Sequence, residues 1–197
     1  SDLYLGASDP NFNVQNFALN VAESICFHSF TDDYNAYLEW FHASEKKPLV
    51  EVLRDGVRDF TKQYQKADEG LRESLLSQMG NRNFIAATKI AKARRKAVLE
   101  SDFMPILVKA IDPASPQSIQ QLAFQLCRAL RPGEAFLRKA VLPLCAKDQP
   151  VTQRMQAISL FASPDNGWAV PELLKLLVEE FPDQLFYNLG QVLGMIG

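Results

Sequence analysis

The 197-residue sequence is poor in the residues that most often build active sites and secreted frameworks, with only 3 Cys, 2 His and 9 Gly. Cys26, Cys127 and Cys145 form an odd, widely spaced set. Small secreted domains instead carry a dense, even set of cysteines that pair as disulfides. We therefore expect a reducing, intracellular compartment and predict a cytoplasmic protein.

Long apolar runs are also missing. None approaches the roughly 18 to 20 residues that a transmembrane helix needs. The sequence has no Asn-x-Ser/Thr glycosylation acceptor and no N-terminal signal of basic and apolar residues. With 47% hydrophobic and 22% charged residues, its composition is that of an ordinary globular protein. We predict a soluble, folded chain with no membrane span.

The two ends of the sequence suggest a piece of a larger protein. The first residue is Ser1 rather than Met, and the last four residues, 194–197, look like the final turn of an apolar helix rather than a polar tail. We therefore expect the parent protein to be longer.

Catalytic signatures are absent. The sequence has no GxGxxG, GxxxxGK[ST] or GxSxG motif, and no pair of CxxC motifs or HExxH that would bind a metal. Cys26 and His28 are two residues apart, and on a helix such residues point about 200° apart. We therefore do not expect His28 to activate the Cys26 thiol as a nucleophile. We predict no catalytic, cofactor-binding or metal-binding residues, and no enzymatic activity.

Helical periodicity dominates the first half. Phe17, Val21 and Ile25 form the expected apolar stripe of a first helix within 12–30. Further helices are predicted over 34–41, after Pro48, between Gly70 and Gly80, and over 81–100. No segment combines strict alternation with Val, Ile and Thr, so no strand is predicted.

A pattern repeats from residue 103 onward. Each of three units has an apolar helix containing proline, an Asp near the turn and a second apolar helix. The prolines lie 38 and 28 residues apart, at Pro105, Pro143 and Pro171. This spacing is close to the repeat length of helical solenoids. We therefore predict that each unit forms two antiparallel helices.

Individual residues of these units have expected roles. Asp112, Asp148 and Asp183 are predicted to accept N–H groups at the start of the second helix of each unit. Pro143 falls late in its helix and is expected to bend it. Ser115 followed by Pro116 predicts an N-cap with proline at the first helical position.

The second unit resembles a HEAT repeat. It carries Pro143 in its first helix, Asp148 in the turn and Arg154 on its second helix, as the family pattern does. The first unit has Gln120 and Gln121 where the arginine is expected, and the third has no basic residue there. The resemblance covers 103–197.

A HEAT or armadillo resemblance implies an all-α fold, a right-handed α-solenoid of stacked antiparallel helix pairs. Helix pairs stack because each helix has one apolar face that needs a neighbour to cover it. We predict an irregular N-terminal helical section over 1–100 and HEAT-like repeats over 101–197, continuous with each other as one solenoid. An irregular helical bundle is the alternative.

Charge is unevenly distributed along the chain. Residues 71–100 carry 7 basic and 2 acidic side chains, whereas 1–70 carry 6 and 12. On the helix predicted over 81–100, four cations fall within about a third of a turn of arc: Lys89, Lys92, Arg95 and Lys96. With Arg82 beside Phe84 they could contact phosphates or an acidic partner, or form a solvated face that pairs with the acidic N-terminal third.

Aromatic residues are the other candidates for binding. Tyr34, Tyr37, Trp40 and Phe41 share one short predicted helix, where they either pack the core or line a groove. Trp168 lies in a turn before the third unit, where burial is harder, so we predict a contact residue or a residue at a repeat junction.

Protein–protein interaction is the function that these features favour. Solenoids present an extended surface, and we predict a non-catalytic scaffold with a protein partner and no cofactor. The alternative is nucleic-acid binding through the basic helix at 82–96. A third, weaker alternative is an enzyme on a helical-repeat fold, with an acidic and aromatic site in a concavity. The tentative binding residues are Arg82, Lys89, Lys92, Arg95, Lys96 and Trp168.

Overall fold

The computed structural model describes residues 10–27, 30, 33–81, 88–176 and 182–197. These residues form helices and connecting turns, and none of them lies in a strand, so the all-α prediction is confirmed for this part of the chain. The chain divides into two compact units, Ser1–Ile106 and Leu107–Gly197. The boundary falls within the helix Phe103–Ala110.

Within its described residues, the first unit has five helices and the start of a sixth. They are α1 (Phe12–Cys26), α2 (Tyr34–Ser44), α3 (Leu49–Lys66), α4 (Glu69–Gly80), α5 (Lys89–Leu99) and α6 (Phe103–Ala110).

Side-chain caps explain where several of these helices begin. The carboxylates of Asp33 and Asp68 accept the backbone N–H groups of Ala36 and Leu71, each at 2.9 Å. The hydroxyl oxygen of Thr88 accepts from Ala91 at 3.2 Å and so starts α5. These bonds satisfy donors that the first turn of a helix leaves without a partner.

Two predicted helix boundaries are wrong. α1 ends at Cys26 rather than continuing to residue 30, because Phe27 adopts a left-handed conformation with φ of 60°. The helix predicted over 81–100 begins at Lys89, and Asn81 instead caps the C-terminus of α4. The residues from 82 to 87, among them Arg82, lie outside the described residues.

The predicted stripe of α1 is wrong at Phe17, which is 71% exposed, whereas Ile25 is buried as predicted and Val21 is half-buried. The rest of the buried face is formed by the small residues Ala18, Ala22 and Cys26, four residues apart. Small side chains let α1 approach its neighbours closely, and they pack in one cluster with Phe30, Tyr37 and Phe41. The alternative that the aromatic residues of α2 pack in the core is confirmed for Tyr37 and Phe41.

α3 carries the most regular buried face of the unit. Its core residues include Leu53, Val57, Phe60 and Tyr64, and the last two meet Phe103 edge-on with ring centroids 5.4 and 5.8 Å apart. Gly56 lies on the same face. A Cβ at this position would overlap the backbone of Cys26, so only glycine allows α1 and α3 to lie this close.

The described part of the second unit contains the rest of α6 and five further α-helices. They are α7 (Gln117–Leu130), α8 (Glu134–Phe136), α9 (Val151–Ser159), α10 (Val170–Lys175) and α11 (Asp183–Ile196).

α8 does not continue as a regular α-helix. It passes into a π-helical turn at Leu137–Val141 and then a 3₁₀ turn at Leu142–Cys145 that contains Pro143. Proline removes one backbone donor and clashes with the preceding turn, so the change of hydrogen bonding occurs where the sequence predicts a bend. A second 3₁₀ segment, Pro164–Ala169, precedes α10.

Prolines, not aspartates, occupy the N-caps of α7, α9 and α11. Pro116, Pro150 and Pro182 have nearly identical backbone angles, with φ between −58° and −54° and ψ between 139° and 141°. None of the three N-caps makes a side-chain capping bond. The capping role predicted for Asp148 is therefore wrong, as is the placement of Pro116 one residue inside α7.

Two buried polar side chains hold the second unit together. Gln153 donates from Nε2 to the Ile111 carbonyl oxygen at 3.1 Å, and Arg154 donates from Nε to the Cys145 carbonyl oxygen at 3.1 Å. Both side chains are buried on α9. Because unpaired backbone carbonyls are costly in a core, these bonds fix α9 against the two preceding turns.

Helix length and apolarity bear on membrane insertion. In the part of the chain that the structure describes, no helix combines the length and the apolar character needed to cross a bilayer.

Candidate functional site

The α5 helix presents a row of lysines to solvent. Lys89, Lys92 and Lys96 are exposed, and Arg95 is half-buried at the edge of the row. The helix has five basic residues and no acidic one. Three of the four predicted cations on α5 therefore form one exposed basic face.

The opposite side of α5 packs into the core. Ala91 and Val98 are fully buried there, whereas Ile90 is 37% exposed. At the centre of this buried face lies Arg94, only 8% exposed, whose Nε has no hydrogen-bond partner among the described residues. Burial lowers the pKa of the Arg94 guanidinium below its usual range. Sequence reasoning missed Arg94 because a cation at a buried helical position contradicts the apolar pattern.

A groove of about 420 Å³ runs beside α5 and extends the basic face onto α3. Arg54, Arg58 and Lys62 lie four residues apart on α3 and line one side of this groove. Glu100 and Asp102 line the other side. The i, i+4, i+8 spacing of the α3 cations was readable in the sequence, but nothing there placed them next to α5.

Glu100 connects the two rows of cations. One of its carboxylate oxygens lies 3.7 Å from Lys96 Nζ, and the other lies 3.7 Å from Arg54. These long, exposed pairs contribute little to stability, so both cations can exchange Glu100 for an external anion. The α3 and α5 cations therefore belong to one continuous surface.

Shorter ion pairs restrain the rest of the α3 row. Arg58 contacts Asp55 at 2.7 Å, and Lys62 contacts Asp59 at 3.2 Å. Lys47 also donates to Asp55 at 2.8 Å and is the main cause of the lowered pKa of that carboxyl. The groove is thus lined by charges of both signs, and the cations among its lining residues lie on α3.

Trp168 is half-buried in the second unit. The guanidinium of Arg138 lies over its ring, 4.2 Å from the centroid, and Phe161 meets the ring edge-on at 5.8 Å. Glu134 accepts two hydrogen bonds from Arg138, at 2.8 and 3.1 Å, and so holds the guanidinium in place. Trp168 therefore joins the π-helical turn to the 3₁₀ segment by cation–π stacking.

The exposed side of α11 carries apolar side chains together with the exposed amides of Gln184 and Gln191, and it was not predicted as a site. Phe186, Tyr187 and Met195 are 62%, 69% and 58% exposed. Leu185 and Leu189 on the opposite side of the helix are fully buried. The burial pattern therefore separates the two sides of α11, although large apolar side chains occur on both.

Two glycines lie on the same exposed side of α11, at Gly190 and Gly194. No atom lies within 4 Å of a Cβ built at Gly190 or at Gly194. Glycine in a helix interior costs about 1 kcal/mol relative to alanine, so two open glycines on a solvated face are unfavourable for the isolated helix. After Asp183, the helix has no charged residue. An uncharged helix face with exposed aromatics is typical of a surface that contacts another protein.

The remaining candidates for chemistry are isolated or buried. Burial raises the pKa of the Cys127 and Cys145 thiols to about 12, so neither is a thiolate nucleophile near neutral pH. No group of three His, Cys, Asp or Glu side chains that could hold a metal occurs among the described residues. His42 is exposed and packs edge-on against Phe41 at 5.7 Å, while His28 lies outside those residues.

Comparison with protein-family models, with curated proteins and with solved structures finds no significant match to this chain.

Proposed function

We propose that this chain is a non-catalytic protein-interaction module whose second unit is built from stacked HEAT-like or armadillo-like helix pairs. The observation that carries the proposal is the exposed, uncharged face of α11, with Phe186 and Tyr187 on its surface. Apolar side chains exposed next to each other on one helix favour contact with another protein, because burying them removes apolar area from water.

Two regularities of the second unit support the repeat architecture. The N-cap prolines of α7, α9 and α11 lie 34 and 32 residues apart, a more even spacing than that of the prolines in the first helices. Neighbouring helices of this set also contact one another: Arg128 on α7 donates to Ser159 on α9 at 2.8 Å, and α9 packs on α11. Such contact between equivalent helices is what a stack of repeats requires.

A photo-crosslinking experiment tests the proposed function. A crosslinking amino acid at Tyr187 is expected to capture a specific protein, which is then purified and titrated against the unmodified chain by calorimetry. The matched control is the same amino acid at Phe17, which is equally exposed on α1. Capture of the same proteins from both positions, or no binding by the purified candidate, would contradict the proposal.

Nucleic-acid binding is the second candidate function. The observation that favours it is the continuous surface of Lys89, Lys92 and Lys96 on α5 with Arg54 on α3. If each cation contacts one phosphate, the logarithm of the affinity should fall with the logarithm of the salt concentration with a slope of about −3 to −4.

Fluorescence anisotropy against single- and double-stranded DNA and RNA at low and physiological salt measures that slope. Changing Lys89, Lys92 and Lys96 together to Glu should abolish binding. Changing the exposed Lys175 and Lys147 of the second unit to Glu is the control and should leave most of it. No binding at low salt would exclude this function.

A further inference from the structure

Glu100 is the C-cap residue of α5 and lies at the end of its row of lysines. It follows Lys96 by four residues, and its carboxylate lies 3.7 Å from Lys96 Nζ, so both side chains point to the same side of the helix end. The exposed side chains of Lys89 and Lys92 precede them on that side. The lysine row of α5 therefore ends at a carboxylate.

The cation row of α3 begins at the same carboxylate. The other oxygen of Glu100 lies 3.7 Å from Arg54, and Arg58 and Lys62 follow Arg54 at intervals of four residues along the groove. Arg58 and Lys62 have short ion pairs with aspartates of their own helix. Among the described residues, Arg54 has an ion pair with Glu100 alone. Glu100 thus lies where the line of cations passes from α5 to α3.

This position suits an external phosphate in place of the carboxylate. Two oxygens of one phosphate can each contact a different cation, as the two oxygens of Glu100 do. The existing pairs are easily exchanged, because they are long and the side chains of Lys96, Glu100 and Arg54 are 72%, 47% and 60% exposed. A phosphate between Lys96 and Arg54 keeps both cations paired while Glu100 turns to solvent.

The length of the line favours a polymer of phosphates over a single anion. Its cations follow one another at intervals of three or four residues, which is about 4.5 to 6 Å along a helix. A nucleic-acid strand carries a negative charge at every nucleotide, so successive phosphates can meet successive cations. An acidic protein segment carries charge at only some residues and would need a particular sequence to follow a line that changes helix.

We propose that the sugar–phosphate backbone of a nucleic-acid strand runs from the lysine row of α5 to Arg54 on α3, with one phosphate in place of the Glu100 carboxylate. This inference rests on nucleic-acid binding, the second candidate function, and adds the path of the strand. Glu100 then weakens binding, because its negative charge lies beside the phosphate that displaces it.

Substitution of Glu100 tests the place of that phosphate. In anisotropy titrations with single-stranded DNA at low salt, Glu100→Gln should bind about threefold to tenfold more tightly than the unchanged chain. The gain should shrink at physiological salt, where exposed charges are screened.

Glu39→Gln is the matched control. Glu39 is also an exposed glutamate of the first unit, but it lines a different cleft, between α2 and α3. Because both glutamates are exposed, both variants should fold as the unchanged chain does. The control should gain less than about twofold in affinity. Equal gains in the two variants, or no gain in Glu100→Gln, would overturn the proposal.

Arg54→Gln tests whether the strand reaches α3. Loss of one phosphate contact should weaken binding and make the salt slope shallower by about 1. An unchanged slope would confine the strand to α5 and overturn this inference, while nucleic-acid binding as such would stand. If neither the unchanged chain nor Glu100→Gln binds DNA at low salt, or if both prefer poly-glutamate to DNA, the inference and the second candidate function fail together.

Discussion

Arg94 and Arg154 are both buried, but their surroundings differ. Arg154 donates to the Cys145 carbonyl oxygen at 3.1 Å, whereas Nε of Arg94 has no hydrogen-bond partner in the part of the chain that the structure describes. A buried nitrogen without a hydrogen-bond partner is costly, whereas the Nε bond of Arg154 stabilises the turn that contains Cys145.

We therefore expect opposite effects from the same substitution. Arg94→Met should leave the free energy of unfolding unchanged or raise it by about 1 kcal/mol. Arg154→Met should lower it by about 2 to 3 kcal/mol, because the Cys145 carbonyl loses its donor. Urea denaturation of both variants measures the difference. An equal loss in both would show that Arg94 has a binding partner of its own.

Residue-level burial was the least predictable feature of this protein. Periodicity placed Phe17 in the core and left Ala22 out, yet Phe17 is 71% exposed and Ala22 is fully buried. A buried face through Phe17 and one through Ala22 both satisfy helical spacing. The distance from α1 to the neighbouring helices decides which of the two is buried. Because α1 packs closely against α3 at Gly56, its contact face needs small side chains.

At the scale of helices, side-chain caps mark the starts of α1, α2, α4 and α5, whereas α3, α7, α9 and α11 follow a proline at the N-cap. Asp68 caps α4 through a 2.9 Å bond to the Leu71 N–H. Asp148 is also an Asp just before a helix, but it is exposed and the described residues provide it with no hydrogen bond, because Pro150 is the N-cap of α9.

Alanine substitution distinguishes these two aspartates. Asp68→Ala should lower the free energy of unfolding by about 1 kcal/mol, and Asp68→Asn should restore most of it, since an amide oxygen also accepts the bond. Asp148→Ala should change stability by less than about 0.5 kcal/mol. Thermal and urea denaturation monitored by circular dichroism measure both. A loss at Asp148 as large as that at Asp68 would contradict the observed caps.

The lysines of α5 can be predicted from the sequence, but the residues of other helices that lie beside them cannot. Lys89, Lys92 and Lys96 follow from helical geometry alone. Their continuation through Glu100 to Arg54 depends on the packing of α3 beside α5, which joins residues more than 40 positions apart. Local periodicity carries no information about such long-range pairs.

At the scale of the whole molecule, the chain forms two compact units with a boundary after Ile106. Each unit has its own buried residues, such as Leu53 and Val57 in the first and Ala157 and Ile158 in the second. A unit with its own core can open without the other, so destabilising variants should act within one unit.

Hydrogen exchange followed by mass spectrometry tests this independence. Gly56→Ala should destabilise the first unit by about 1 to 3 kcal/mol, because the new Cβ overlaps the backbone of Cys26. Amide exchange should become faster in α1 and α3 and stay unchanged in α9. Arg154→Met should have the reverse effect. Equal acceleration in both units by either variant would indicate a single cooperative unit.

The helical nature of this chain was present in its sequence. Apolar spacing, capping residues such as Asp33 and proline positions such as Pro48 are local signals, and each acts within a few residues, so they are readable without a structure. The same holds for the lysine row of α5.

Only the tertiary structure decided which faces those helices bury. It left Phe186 and Tyr187 in solvent, buried Arg94, and brought the cations of α3 and α5 together. The reason is that a helix with large apolar residues on both sides, such as α11, has more apolar residues than one buried face uses. Which of them is covered depends on the shape and distance of neighbouring helices, and these follow from contacts between residues far apart in the chain.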